Sequence, residues 1–89
     1  MLQGLTEGRI VHYVLQASDL PASHQHEVGK VIAAIVVNCW PSLNRDDGYA
    51  NLTGFPDHSN QGLGAMVWLT SRVHDESGQP GTWHWPARP

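Results

Sequence analysis

The sequence predicts an all-β protein, a small five-stranded barrel or roll of the SH3-like type. Five short segments are rich in β-branched and aromatic residues, and loops rich in Gly, Pro, Ser and Asp separate them. No segment repeats its apolar residues with a convincing helical period. An OB-like barrel is the alternative. The 89 residues are expected to form a single domain spanning 1–89.

The first two strands are predicted at residues 9–15 and 30–40. Residues 9–15 read RIVHYVL, and both faces of that strand are largely apolar, which suggests a strand covered on both sides. Residues 30–40 read KVIAAIVVNCW, where two alanines would allow a helix. The β-branched residues of this run and the Pro41 that ends it favour a central strand. Residues 16–29 are predicted to be a loop.

The other strands are predicted at residues 49–55, 65–76 and 82–86. Alternation along 65–76 places Val67, Leu69 and Val73 on one face, and it places Trp68, Thr70, Arg72 and His74 on the other.

The C-terminal segment GTWHWP, residues 81–86, is predicted to be an ordered strand paired within the domain. Its threonine and tryptophans have high β-propensity, and Pro80-Gly81 supplies the turn that precedes it. Trp83 and Trp85 share a face in this prediction, and at least one of them is expected in the core.

The charge balance disfavours a nucleic-acid binder, because the formal net charge is −3 and the five Lys and Arg residues are scattered. No membrane contact is expected, since no signal peptide is visible and the longest apolar run, VIAAIVV, is too short to cross a bilayer. The single cysteine, Cys39, excludes an intrachain disulfide and fits a reducing cytoplasm. Its apolar surroundings in the sequence predict a buried, inert thiol.

Two groups of histidines are candidates for a metal site or a catalytic site. His24 and His26 have the spacing of a zinc pair that Glu27, Asp57 or His58 would complete. They lie in a predicted loop with no C-x-x-C or H-E-x-x-H motif, so solvated histidines are the favoured interpretation and no metal or cofactor is predicted.

Catalysis is not predicted either. His12 is expected to be half-buried on its strand. His74 precedes two acids, but adjacent strand residues point in opposite directions, so Asp75 does not reach the His74 ring. No G-x-S-x-G motif accompanies them.

The tryptophans and tyrosines exceed what one small core uses, so an exposed remainder is predicted to form a binding surface. Arg72 would pair with a carboxylate or phosphate there, or would simply stack on Trp68. The candidate surface consists of Trp68, Arg72, His74, Trp83, His84 and Trp85.

Five blocks of the chain carry a resemblance to known proteins. They are GRIVHYV at 8–14, AAIVV at 33–37, NLTGF at 51–55, VHDE at 73–76 and GTWHWP at 81–86. In this order the blocks resemble a set of small proteins encoded by tailed bacteriophages and prophages. The resemblance implies a phage-type source and action in the cytoplasm of an infected bacterium or in a virion. It implies no activity and no catalytic residues.

The favoured hypothesis is therefore a non-enzymatic accessory protein that binds protein, as a homo-oligomer or with a phage or host partner. An edge strand of an incomplete barrel would serve as a docking site. The alternatives are a small-ligand binder that sequesters a host nucleotide signal during anti-phage defence, and a minor structural protein of the virion.

Overall fold

In the computed structural model, five antiparallel strands form one curled sheet, a half-barrel whose inner side holds the core. The structure describes residues 2–40, 46–56 and 66–87. The predicted all-β fold is confirmed, and its shape is compatible with small SH3-like and OB-like barrels. The sheet order is β4-β3-β2-β1-β5. The strands are β1 (Ile10–Val14), β2 (Val31–Cys39), β3 (Ala50–Phe55), β4 (Val67–Arg72) and β5 (Trp83–His84).

The long central strand β2 organises the sheet, since it pairs with β1 on one side and with β3 on the other. Its β-branched residues suit a pleated surface, and its alternate residues Ile32, Ala34 and Val36 are buried on the inner side. Val31 and Ala33, on the opposite side, are exposed. The period of two therefore separates an inner face from an outer face along this strand.

The core lies against the inner face and combines aromatic and aliphatic side chains from every strand. Hydrophobic residues outside the strands also contribute, because Leu5, Leu15 and Leu20 are buried in the same cluster. The largest fully buried side chains are Trp83, Tyr13, Leu5, Leu15, Leu52 and Leu69.

The C-terminal segment is part of the sheet, as predicted. The Gly81 N–H donates to the Val14 carbonyl at 2.8 Å, which brings β5 against β1. Trp83 is completely buried, which confirms that at least one tryptophan of this segment belongs to the core. The chain that follows β4 covers the other edge of β5, because the Trp83 N–H donates to the Val73 carbonyl and His74 forms a parallel bridge with Trp83.

Two expectations about the first third of the chain are wrong. The predicted loop 16–29 contains two short 3₁₀ helices, Ala17–Asp19 and Ala22–Glu27, and His24 within the second is buried rather than solvated. The first strand is covered on both sides only at its C-terminal end, since on its outer face Val14 is 2% exposed whereas Ile10 is 55% exposed. A sheet with a core on one side only leaves this apolar residue in solvent.

Candidate functional site

The six residues of the predicted binding surface do not lie together. Trp68 and His84 lie on outer-face positions at opposite sides of the sheet, whereas Trp83 is in the core. Arg72 forms an ion pair with Asp19. His74 and Trp85 are half-buried and lie close to Trp83.

A β-bulge in β4 explains the position of Arg72. Leu69 pairs with Leu52 and Arg72 pairs with Ala50, so two residues of β4 face one residue of β3. Ser71 lies in the bulge with a φ of 58°. Its N–H donates to Asn51 Oδ1 at 2.8 Å, a bond that holds the bulge in place. The extra residue reverses the alternation, so the prediction that Arg72 shares a face with Trp68 is wrong.

Arg72 is instead part of a polar network at the inner side of the sheet. Its Nη2 donates to Asp19 Oδ1 at 3.0 Å, and the guanidinium carbon lies 5.8 Å from the centre of the Tyr13 ring. Asp19 Oδ2 accepts from the Tyr13 hydroxyl at 2.6 Å and from the Gln16 N–H at 2.9 Å. Burial, and then the hydrogen bond to Asp19, raise the pKa of Tyr13. The charge of Arg72 is therefore neutralised within the fold.

His74, Glu76 and the two C-terminal tryptophans form a second cluster. His74 Nε2 donates to Glu76 Oε2 at 2.7 Å, and the same oxygen accepts the Trp85 N–H at 2.9 Å. The hydrogen bond from Trp85, and then that from His74, lower the pKa of Glu76. The His74 and Trp83 rings lie 4.9 Å apart. Asp75 is predicted not to reach the His74 ring, and its Oδ1 instead accepts hydrogen bonds from Ser77. The hydrogen-bond partner of His74 is the next acid in the sequence, Glu76.

This second cluster holds the C-terminal segment against the domain. Glu76 joins the strand bridge at His74 to the backbone of Trp85, and Trp85 packs edge-on against Trp83 with ring centres 4.8 Å apart. The arrangement accounts for both tryptophans of GTWHWP, since Trp83 fills the core and Trp85 covers it.

The outer face of the sheet carries several exposed apolar side chains. One row of paired residues crosses four adjacent strands, and it consists of Ile10, Ile35, Thr53 and Trp68 in that order. Residues paired across adjacent strands point to the same face, so these side chains form a continuous stripe across four strands. A second row joins His84, His12, Ala33 and Phe55.

We call this surface the outer apolar face. Trp68 is 56% exposed and Phe55 39%, and together with Ile10 and Val31 they are four of the seven exposed large hydrophobics in the described ranges. At 150–250 Å² for an aromatic side chain and somewhat less for an aliphatic one, its exposed area is on the order of 500 Å². The outer apolar face consists of Ile10, Val31, Ala33, Ile35, Phe55 and Trp68.

The outer apolar face also lacks formal charge. No Lys, Arg, Asp or Glu occupies an outward-pointing position of β1, β2, β3 or β4 within the described residues. Polar members of the surface are neutral, such as Thr53 and Thr70. The histidines His12 and His84 border it, with ring centres 5.8 Å apart.

A groove of about 500 Å³ opens at the end of the sheet beside Trp85. The Arg9 guanidinium carbon lies 4.8 Å from the centre of the Trp85 ring, and Arg9 Nη1 donates to the Gly4 carbonyl at 3.3 Å. Gly4 has a φ of +88°, a left-handed backbone conformation that favours glycine. Ile10 and Pro86 add apolar walls.

The remaining chemical candidates are structural or lie outside the described residues. Cys39 is buried as predicted, and burial, followed by the nearby Glu7 carboxylate, raises the pKa of its thiol to about 11. His24 Nδ1 is hydrogen-bonded to Ser23 Oγ at 2.8 Å. Across residues 2–40, 46–56 and 66–87 no three His, Cys, Asp or Glu side chains are grouped as a metal site. Asp57 and His58 of the weighed zinc set lie outside those residues.

Sequence reasoning missed most of the outer apolar face, of which it named only Trp68. The available signal is the apolar character of both faces of residues 9–15, from which the sequence analysis predicts coverage on both sides. It also missed Arg9, because the groove joins two distant parts of the chain.

Comparison of the chain with models of protein families, with curated proteins and with solved structures finds no match. In the part of the chain that the structure describes, no helix is long and apolar enough to cross a membrane.

Proposed function

We propose that this protein is a non-enzymatic protein-interaction module that binds through the outer apolar face. The observation that carries the proposal is the uncharged apolar stripe that runs from Ile10 to Trp68 across four strands. The largest apolar patch on a monomeric protein covers about 300–600 Å² and is often a functional surface. Aromatic side chains such as Trp68 and Phe55 also supply much of the binding energy in protein interfaces.

The chemistry of the face favours protein over nucleic acid. A phosphate backbone is held by Lys and Arg side chains, and none points outward from the strands of this surface among the described residues. The one cation within β4, Arg72, is paired with Asp19. An apolar protein surface matches the face because both sides lose water on contact.

The polar clusters support a non-enzymatic role, because each has a structural task. The carboxylate of Asp19 holds Arg72 and Tyr13 in place, and Glu76 ties the tail to His74. The Cys39 thiol remains protonated at neutral pH, since its pKa is raised to about 11.

The setting we propose is the cytoplasm of an infected bacterium, where a phage-type accessory protein would act. The resemblance of GRIVHYV and GTWHWP to small proteins of tailed phages supports it. A minor structural role in the virion is the rival setting. Mass spectrometry of purified virions separates the two, since a virion component is present at a fixed number of copies per particle and an accessory protein is absent.

Site-specific photo-cross-linking tests the binding surface. The photoreactive residue p-benzoylphenylalanine is placed at Phe55 or at Trp68, and a control carries it at Val28, an exposed apolar residue outside the strands. Cells that express each variant are illuminated, and adducts are identified by mass. We expect a discrete protein adduct from both face positions and none from Val28. No adduct from either face position would overturn the proposed function.

The groove beside Trp85 favours a second candidate, the binding of a small nucleotide signal. A base would stack on Trp85 and a phosphate would meet Arg9, whose guanidinium already lies over the ring. This site replaces the pairing of Trp68 with Arg72 that the sequence predicts. Calorimetry against cyclic and linear nucleotides tests it, and the absence of binding below about 100 μM, a free energy near −5.5 kcal/mol, would exclude it.

A further inference from the structure

The outer apolar face has properties that a two-fold interface requires. In such an interface the same patch serves both partners, so any charge near the axis meets its own copy across it. The face avoids this repulsion because its strand positions carry no Lys, Arg, Asp or Glu within the described residues. The net charge of −3 is therefore carried elsewhere on the chain.

The size of the face fits a weak dimer, because two copies would bury about 1,000 Å² in total, at the low end of specific interfaces. Stable protein interfaces bury about 800 Å² on each partner, with an apolar centre and a more polar rim. The outer apolar face supplies on the order of 500 Å² of apolar centre by the same side-chain areas used above. Val37, Met66 and Thr70 are exposed next to it and extend the footprint toward the standard size.

The relief of the face is uneven around the middle strand. Ala33 has a small side chain and lies between His12 on β1 and Phe55 on β3, so it forms a low point flanked by larger rings. Two sheets that pack face to face fill such low points with large side chains of the partner. Because the sheet curls around the core, its outer face is convex, so direct contact with a second copy is confined to the strands in the middle of the sheet. Ala33 lies on β2, the middle strand of the five.

We infer that the partner of the outer apolar face is a second copy of this chain, packed sheet against sheet about a two-fold axis near Ala33. This inference rests on the proposed function and names its partner. Ala33 of each copy faces the other copy across the axis. Two like charges placed there repel each other, and two opposite charges attract.

The test is sedimentation equilibrium of purified wild-type protein, of Ala33→Glu, of Ala33→Lys and of their equimolar mixture. Ala33 is exposed in the single chain, so either charge leaves the fold intact, which far-UV circular dichroism checks. The matched control is Val28→Glu, which adds the same charge at an exposed apolar residue outside the strands. We expect the wild type and V28E to dimerise, and A33E and A33K each to dissociate at least tenfold more readily.

The mixture of A33E and A33K is the decisive sample, because a second copy alone predicts that it dimerises more tightly than either variant by itself. The inference is overturned if the wild type stays monomeric up to about 1 mM, where a free energy of only −4 kcal/mol is detected. It is equally overturned if A33E self-associates like V28E, or if the mixture is no tighter than its components. A monomer that still cross-links to another protein from Phe55 and Trp68 would refute the second copy and leave the proposed function standing.

Discussion

Replacing Trp83 with alanine removes the largest fully buried side chain of the core. The ring lies 4.8 Å from the centre of Trp85, and its Nε1 donates to the Gly48 carbonyl at 2.8 Å. Removing a buried aromatic side chain costs about 3–5 kcal/mol, because apolar contacts are lost and a cavity remains. The carbonyl left without its donor adds about 1 kcal/mol. We therefore expect Trp83→Ala to lower the free energy of unfolding by about 4–6 kcal/mol.

That loss is large for this chain, since a protein of its length has a total stability of roughly 4–13 kcal/mol. Urea denaturation followed by far-UV circular dichroism measures it, and W83A should be unfolded or close to its transition without urea. The matched control is Trp68→Ala, which truncates a tryptophan that is 56% exposed. Its cost should stay below about 1 kcal/mol, the range of surface substitutions.

Trp83→Phe separates packing from hydrogen bonding. It keeps an aromatic ring in the core but removes the N–H that Gly48 accepts, so its cost should be intermediate, about 1–3 kcal/mol. Deleting residues 81–89 should unfold the protein or leave it insoluble, because β5 and both tail tryptophans are lost with it. Equal denaturation midpoints for W83A and W68A, or a soluble truncated chain with unchanged melting, would refute the assignment of this strand to the core.

Three further outcomes are expected from the core and its polar network. Gly48→Ala should lower stability by at least about 2 kcal/mol in the same urea assay, because the new Cβ would lie 2.8 Å from the Trp83 ring and the backbone φ is +71°. Asp19→Asn should cost roughly 2–3 kcal/mol by removing the charge that pairs with Arg72, and an unchanged midpoint would show that the ion pair contributes nothing. Iodoacetamide at pH 8 should alkylate Cys39 at least tenfold more slowly in the native protein than in urea, because its pKa is raised to about 11, and the native rate should climb as the pH rises toward that value.

The strands could be predicted from sequence because local chemistry fixes them. The residues of β2, for example, alternate between the inner and the outer face with few breaks. Gly81, with its positive φ, marks the turn that precedes β5. The two 3₁₀ helices within 16–29 could not be predicted in this way. They depend on contacts with distant residues, such as the bond from Tyr13 to Asp19.

The candidate site was harder to predict, because it depends on which side of the sheet the core occupies. A strand with two apolar faces, such as β1, has the same sequence whether it is covered on one side or on both. Once the core is known to lie against Tyr13 and Trp83, the other side of β1 becomes the outer face, where Ile10 lies in solvent although Val14 remains covered. Of the tryptophans placed on the predicted binding surface, Trp68 is exposed whereas Trp83 is completely buried, and the prediction puts Arg72 on the wrong face.

The bulge at Ser71 explains why Arg72 does not point outward, and it bears on the proposed function. With regular alternation, Arg72 would point outward beside Trp68 and would place a positive charge at the outer apolar face. The extra residue turns Arg72 inward, where Asp19 neutralises it. After the bulge the chain continues to His74, which pairs with Trp83 and so covers the free edge of β5. The inserted residue thus lets Arg72 pair with Asp19 and lets the following chain pair with β5. It also leaves the outer apolar face without a formal charge, which favours the proposed contact with a second copy of the chain.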